Sequence, residues 1–183
     1  MVMGRNKRNF RKDLCYHLYN RGNRKNEIFR TTEDFETFKN IFLFCANKRG
    51  IEVISYCLMK NHFHLLVRES FGIIPVFMHD TSTKYSKYFN QTHKYVGHVF
   101  QGRYCSREVL NAEYFEKLID YIRQNPVKAG LVQDFKYYRW YGENNYLLKK
   151  QHNYYKKLLK LYQNESSTEE DTSIFIDLGI EIK

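Results

Sequence analysis

Residues 51–68 read Ile-Glu-Val-Ile-Ser-Tyr-Cys-Leu-Met-Lys-Asn-His-Phe-His-Leu-Leu-Val-Arg. The runs Ile51 to Met59 and His62 to Arg68 are rich in strand-forming residues and flank Lys60-Asn61, a pattern that predicts an antiparallel hairpin. A strand sends alternate side chains to one face, so His62 and His64 project together while Phe63 turns to the opposite side. Two imidazoles held side by side on a rigid element form half of a divalent metal site. The same spacing also describes two polar positions on a half-exposed strand, so the other half of the site has to come from elsewhere in the chain.

Working outward, Leu14 to Tyr19 predicts a first strand, followed by the turn-forming Asn20-Arg21-Gly22-Asn23-Arg24. Thr31 and Asp34 have the spacing of a capping box, and Phe35, Phe38, Phe42 and Cys45 repeat at helical intervals up to Gly50. Beyond Gly72 and Pro75 a second helix is predicted over Val76 to Gln91, and a loop with a pair of strands over Tyr95 to Val109. Asn111 is suited to cap a third helix with the stripe Phe115, Leu118, Ile119 and Ile122, which Pro126 is expected to end. The aromatic, basic segment Tyr137 to Tyr141 is expected to pack on the body. A lysine-rich helix over His152 to Tyr162 precedes a polar acidic linker, Asn164 to Asp171, and a weakly alternating end, Ile174 to Ile182. This order of elements predicts an α+β fold in which helices cover a mainly antiparallel sheet. The expected organisation is one compact domain over 1–150, a basic helical extension over 151–163 and an acidic tail over 164–183.

The 183 residues carry a net charge of +10, with 16 Tyr and 14 Phe available for an aromatic core. Six acids and one base fall within 164–183, which leaves the rest of the chain at +15. That balance favours a polyanionic partner, nucleic acid before an anionic membrane. The cysteines, Cys15, Cys45, Cys57 and Cys105, form no metal-binding or disulfide pattern. Met1 to Lys12 is basic without a signal-peptide core, and no apolar run is long enough to span a bilayer. The expectation is a reducing, cytoplasmic location and no membrane partner.

The third helix supplies the missing half of the chemistry. Tyr121 and Asn125 lie four residues apart, on one helical face beside the apolar stripe, where they can dock over the sheet face that carries the histidines. A tyrosine is an oxygen nucleophile able to form a covalent intermediate. The Asn125 amide oxygen is a hard ligand that completes a set with His62 and His64. Gln124 is the neighbouring alternative, but an i,i+4 pair shares a face better than an i,i+3 pair. Arg21, Arg24, Lys84, Lys87 and Arg103 are candidates for phosphate contacts, and Tyr85 or Trp140 for base stacking. Lys117 stands one turn before Tyr121 but reads more simply as a solvated lysine, and His17, His79, His93, His98 and His152 have no partner at metal-ligand spacing in the sequence.

Tyr56-Cys57-Leu58-Met59-Lys60-Asn61-His62-Phe63-His64-Leu65-Leu66 resembles the histidine–hydrophobic–histidine region of the IS200-like single-tyrosine transposases. Residues Tyr121-Ile122-Arg123-Gln124-Asn125-Pro126-Val127-Lys128-Ala129-Gly130-Leu131-Val132 are similar to the tyrosine-helix signature of the REP-associated branch, with supporting matches at Tyr19-Asn20-Arg21-Gly22-Asn23 and Phe100-Gln101-Gly102-Arg103-Tyr104. The matches span roughly residues 14 to 146 and keep the family's order. The resemblance implies a ferredoxin-like sheet with the histidines on a central strand and the tyrosine on a facing helix. It implies cleavage and rejoining of single-stranded, hairpin-associated DNA through a 5′-phosphotyrosine link at Tyr121. The metal set His62, His64 and Asn125 would hold Mg²⁺ or Mn²⁺. The branch favours a monomer over a dimer. Three neutral ligands predict weak metal binding by the free protein and tighter binding once a DNA phosphate adds negative charge. The competing expectations are a non-catalytic nucleic-acid-binding module and a metal-dependent nuclease that hydrolyses with activated water.

Overall fold

The computed structural model describes residues 10–69 and 71–165. Five strands, β1 (Leu14–Arg21), β2 (Glu52–Met59), β3 (His62–Glu69), β4 (Cys105–Val109) and β5 (Tyr141–Glu143), form one antiparallel sheet in the order β4-β1-β3-β2-β5. The helices α1 (Thr32–Lys48), α2 (Ile74–His93), α3 (Ala112–Lys128) and α4 (Asn145–Glu165) cover it, giving the ferredoxin-like α+β class. The histidine strand β3 lies at the centre, paired with β1 on one side and β2 on the other.

Strand alternation divides the core into two. Tyr16, Leu18, Leu58, Phe63, Leu65 and Val67 face α1 and α2, where they meet Phe35, Phe38, Phe42, Phe77 and Tyr85. Cys15, Cys57, Met59, Leu66 and Val109 face α3 and α4. Helix α1 starts where the sequence predicts. The Thr31 side chain accepts from the Asp34 N–H, and the Asp34 carboxylate accepts from the Thr31 N–H. Tyr85 and Trp140, candidates for base stacking, are core residues instead: the Tyr85 hydroxyl donates to the Ile28 carbonyl, and Trp140 stacks on Phe35 at 4.6 Å. Their ring faces are already buried in aromatic packing.

Three further local expectations are corrected. The Tyr95 to Val109 region holds one strand, β4, and a single bridge between Gly22 and Phe100, not a pair of strands. Helix α3 continues past Pro126 to Lys128. A proline so near a helix end removes one backbone bond, and a Schellman closure secures the last turn. Leu131 N–H donates to the Pro126 carbonyl, Gly130 N–H donates to Val127, and Gly130 takes the left-handed φ of 68° that this closure requires. Strand β5, which was not anticipated, pairs through Gly142 and its neighbours with β2.

Helix α4 begins at Asn145, before the 150/151 boundary read from the sequence, and Tyr155 roots it in the body. The Tyr155 hydroxyl donates to the Val109 carbonyl and accepts from the Cys15 N–H. The acidic segment beyond 165 and the alternating run Ile174 to Ile182 lie outside the described residues.

Candidate active site

Parity on β3 places His62 and His64 on the α3 face with their rings 5.1 Å apart, while Phe63 packs against Phe38 in the opposite core. Helix α3 crosses this face on its buried stripe Phe115, Leu118, Ile119 and Ile122, with Asn111 capping it by accepting from the Tyr114 N–H. Arg123 fastens α3 to β5 through a double hydrogen bond to Glu143, at 2.9 and 3.1 Å. Tyr121 therefore sits at the rim of the packed stripe, 46% exposed, with its ring 5.2 Å from that of His64. One turn on, Asn125 Oδ1 lies 3.5 Å from His62 Nε2. The fold thus gathers Tyr121, His62, His64 and Asn125 from a strand and a facing helix.

Hydrogen bonds fix the orientation of the polar atoms. Asn125 Nδ2 donates to the Tyr121 carbonyl at 2.7 Å, which turns Oδ1 toward His62. Asn61 Nδ2 reaches the Lys25 carbonyl at 3.4 Å, which turns its own Oδ1 onto His62 Nδ1 at 2.6 Å. An amide oxygen can only accept, so the His62 proton resides on Nδ1 and Nε2 carries a lone pair. Two electron-rich atoms, His62 Nε2 and Asn125 Oδ1, then face each other without a proton between them. His64 Nε2 is buried and has no hydrogen bond of normal geometry among the described residues. Electron-rich and orphaned buried atoms at one point suit a cation, and the nitrogen and oxygen donors suit Mg²⁺ or Mn²⁺.

The electrostatics agree with that assignment. Burial lowers the His62 pKa despite its contact with Asn125, and Arg21 lowers it further. Burial, with added repulsion from His17 and His62, drives His64 well below the ordinary histidine value. Both imidazoles are therefore neutral at neutral pH, the state a metal ligand needs.

The site opens into a cleft of about 910 Å³ lined by four cationic side chains, Arg21, Arg103, Arg107 and Lys117, and by no acidic one among the described residues. Hydrogen bonds hold its rim: Gly22 N–H donates to the Asn61 carbonyl, Gln101 N–H to the Arg21 carbonyl, and the Asn20 side-chain Nδ2 to the Gly102 carbonyl. Gly22 allows the chain this close, because a Cβ there would overlap the Asn26 carbonyl. Gln101, Gly102 and Arg103 also border a second groove, of about 1280 Å³, between α2 and the loop before β4.

Of the five candidate phosphate contacts, Arg21 and Arg103 line the cleft. Arg24 is exposed on the short turn Asn23–Lys25, and Lys84 and Lys87 are exposed on α2, across the sheet from Tyr121. Neither Gln124 nor Asn125 lines the cleft itself, and Asn125 is the one whose Oδ1 is set against His62. Two cleft residues escaped the sequence reading. Arg107 projects from β4 beside the hydroxyls of Tyr19 and Tyr114, and His17 Nε2 lies 2.9 Å from His64 Nδ1. Strand parity on β1 was the available signal for His17, but only the register against β3 gives it a partner.

Comparison with known proteins places the chain in context. A family model described as the IS200-like transposase matches residues 10–125. The chain superimposes on the solved structure of a REP-associated tyrosine transposase bound to a REP hairpin, with a TM-score of 0.62 and 18% identity over 76% of this chain and 82% of that one. A crystal structure of a transposase candidate from Deinococcus radiodurans aligns at a TM-score of 0.46 and 19% identity, over 65% of this chain and 95% of that one. No curated protein sequence matches significantly. No helix among the described residues is long and apolar enough to cross a membrane.

Proposed function

The chain belongs to the IS200-like transposase family, and from that premise we propose that it cleaves and rejoins hairpin-associated single-stranded DNA through a covalent link at Tyr121. The observation that carries this reading is the convergence of an exposed tyrosine with His62 and His64 in a cleft whose charged side chains are all cationic, with Asn125 set against His62.

His62 Nε2, His64 Nε2 and Asn125 Oδ1 would hold Mg²⁺ or Mn²⁺, and the chemistry supplied there is polarisation of the scissile phosphate. The residues of the chain do the rest. Arg21, Arg103, Arg107 and Lys117 receive backbone phosphates and hold the strand in register. The Tyr121 hydroxyl oxygen attacks phosphorus and loses its proton to solvent. A phosphotyrosine bond to the 5′ side forms, the bond to the 3′-oxygen breaks, and that oxygen leaves protonated as a 3′-hydroxyl. The link conserves one phosphodiester, so attack by another 3′-hydroxyl rejoins DNA and regenerates free Tyr121 without ATP. The exposure of Tyr121 gives a strand access to its hydroxyl. The chain acts as a monomer in this reading, in keeping with a nucleophile and ligand set that come from one copy.

The test is incubation of the protein with labelled single-stranded hairpin DNA and Mn²⁺, wild type against Tyr121→Phe, on a denaturing gel. A protein–DNA adduct present in the wild type and absent from the variant is the expected result. Cleavage without an adduct would identify a hydrolytic nuclease. Binding without cleavage across a panel of hairpins would identify a binding module.

A further inference from the structure

His17 and His64 form a buried pair of imidazoles, stacked at 5.1 Å between centroids, with His17 Nε2 2.9 Å from His64 Nδ1. The ladder between β1 and β3 sets this contact. Tyr19 lies opposite His64 and His17 opposite Leu66, so His17 reaches His64 along the diagonal of the same sheet face. A slip of one residue would carry His17 into the opposite core.

Two neutral imidazoles at this distance share one proton, and it can sit on either side. If His17 Nε2 donates, the His64 proton resides on Nε2, where it has no hydrogen bond of normal geometry, Asn125 making only a weaker contact, and no lone pair remains for a ligand. If His64 Nδ1 donates, Nε2 carries a lone pair into the site. Buried orphan donors are rarer than buried orphan acceptors, which favours the second arrangement.

We propose that His17 is a positioning residue that fixes His64 in its Nδ1-protonated form and so aims the Nε2 lone pair at a divalent cation. This rests on the cation site of the proposed function. His62 supplies an internal parallel, since Asn61 Oδ1 accepts from its Nδ1 in the same way. Each ligand imidazole is thus backed by a neutral acceptor, where a carboxylate is the common partner of metal-bound histidine. His17 is not a third ligand: its Nε2 is turned to His64, and no three His, Cys, Asp or Glu side chains among the described residues are placed to share a metal. The neutral backing leaves the imidazoles less basic than a carboxylate would. Both features suit a site that gains its negative charge from the DNA phosphate.

The experiment uses ¹⁵N-histidine-labelled, metal-free protein and two-bond ¹H–¹⁵N correlation to locate the His64 proton, with calorimetric titration of Mn²⁺ alone as the second readout. The wild type is expected to carry the proton on Nδ1. His17→Phe keeps a ring but removes the acceptor. It should shift the His64 proton toward Nε2 and weaken Mn²⁺ about 10–100-fold. His17→Gln, whose amide oxygen accepts, should restore affinity to within roughly threefold of wild type, a rescue that packing alone would not produce. A His64 protonated on Nε2 in wild type that still binds Mn²⁺ would overturn the pairing and leave the cation site standing. Unchanged Mn²⁺ affinity in His17→Phe would do the same. A wild-type protein that takes up no Mn²⁺ either alone or with single-stranded hairpin DNA bound would overturn the cation site and, with it, this role for His17.

Discussion

The two faces of the sheet treat a histidine differently. On the α1/α2 face, His93 Nε2 donates to the Asp34 carboxylate at 2.9 Å, and the Tyr88 hydroxyl donates to the same group. On the α3/α4 face, His17 Nε2 pairs with another imidazole, and His64 Nε2 has no bond of normal geometry among the described residues. The first pair is made between the helices α1 and α2, the second between the strands β1 and β3. The first face surrounds the buried Asp34 carboxylate with donors, an arrangement built for stability. The second leaves electron pairs unmatched beneath an open cleft, a cost that stability alone does not explain.

The sharpest way to break this contrast is to truncate neighbours on β3. Phe63 is fully buried among Phe38 and Phe100, so Phe63→Ala should lower unfolding free energy by about 3–5 kcal/mol. His64→Leu removes an imidazole with an unmet polar atom and keeps the volume, so stability should change by less than about 1 kcal/mol, or rise, while Mn²⁺ uptake is lost. Urea unfolding of both variants checks this. Equal losses would mean that the histidine face is as structural as the aromatic one.

How much of this was legible in the sequence followed the range of the interactions. The Thr31–Asp34 box, the Asn111 cap, the stripe of α1 and the shared face of His62 and His64 all depend on residues within a few positions of each other, and each stands as read. The side on which Tyr121 and Asn125 dock was legible from the apolar stripe of α3. The His17 contact depends on the register of strands 47 residues apart, which no local pattern specifies. Strand β5 is three residues long and exists because β2 offers an edge and Gly142 admits the Tyr56 ring. Pro126 misled because its penalty belongs to a helix interior, whereas here Gly130 and Leu131 close the last turn around it. Lys84 and Lys87 show the converse: their charge was visible in the sequence, their side of the sheet was not.

Asp34 gives the next test, of intermediate size. Burial alone would raise its pKa, but bonds from His93 and the N–H groups of Arg30 and Thr31 outweigh it and hold the carboxyl below its ordinary value. A depressed folded-state pKa means that the unfolded chain binds more protons in the window between the two values. The contribution of Asp34 is therefore complete above the unfolded pKa of about 3.9 and is lost as pH falls through the lower folded value. Asp34→Asn should cost roughly 3 kcal/mol at neutral pH and flatten the part of the acid-unfolding curve below about pH 4. Its Mn²⁺ affinity should match wild type, because Asp34 lies on the opposite face from His62 and His64. A parallel loss of metal binding would mean that the two faces are coupled through the sheet.

The smallest expected effect is at Gly130, where the end of α3 meets the site. An added Cβ there would touch nothing within 4 Å, so the cost of Gly130→Ala is backbone strain at φ 68°, without a clash. That strain is about 1–2 kcal/mol, and the stiffer unfolded chain returns up to about 1 kcal/mol of it, for a net loss near 1 kcal/mol in urea unfolding. The closure at Gly130 begins only five residues after Asn125, whose amide is oriented by the Tyr121 carbonyl one turn earlier. If that earlier turn is rigid by itself, Mn²⁺ affinity stays within about twofold of wild type while stability falls. An affinity loss larger than the stability change would show that the Schellman closure also holds Asn125 Oδ1 against His62, and that on this face a structural device serves the site directly.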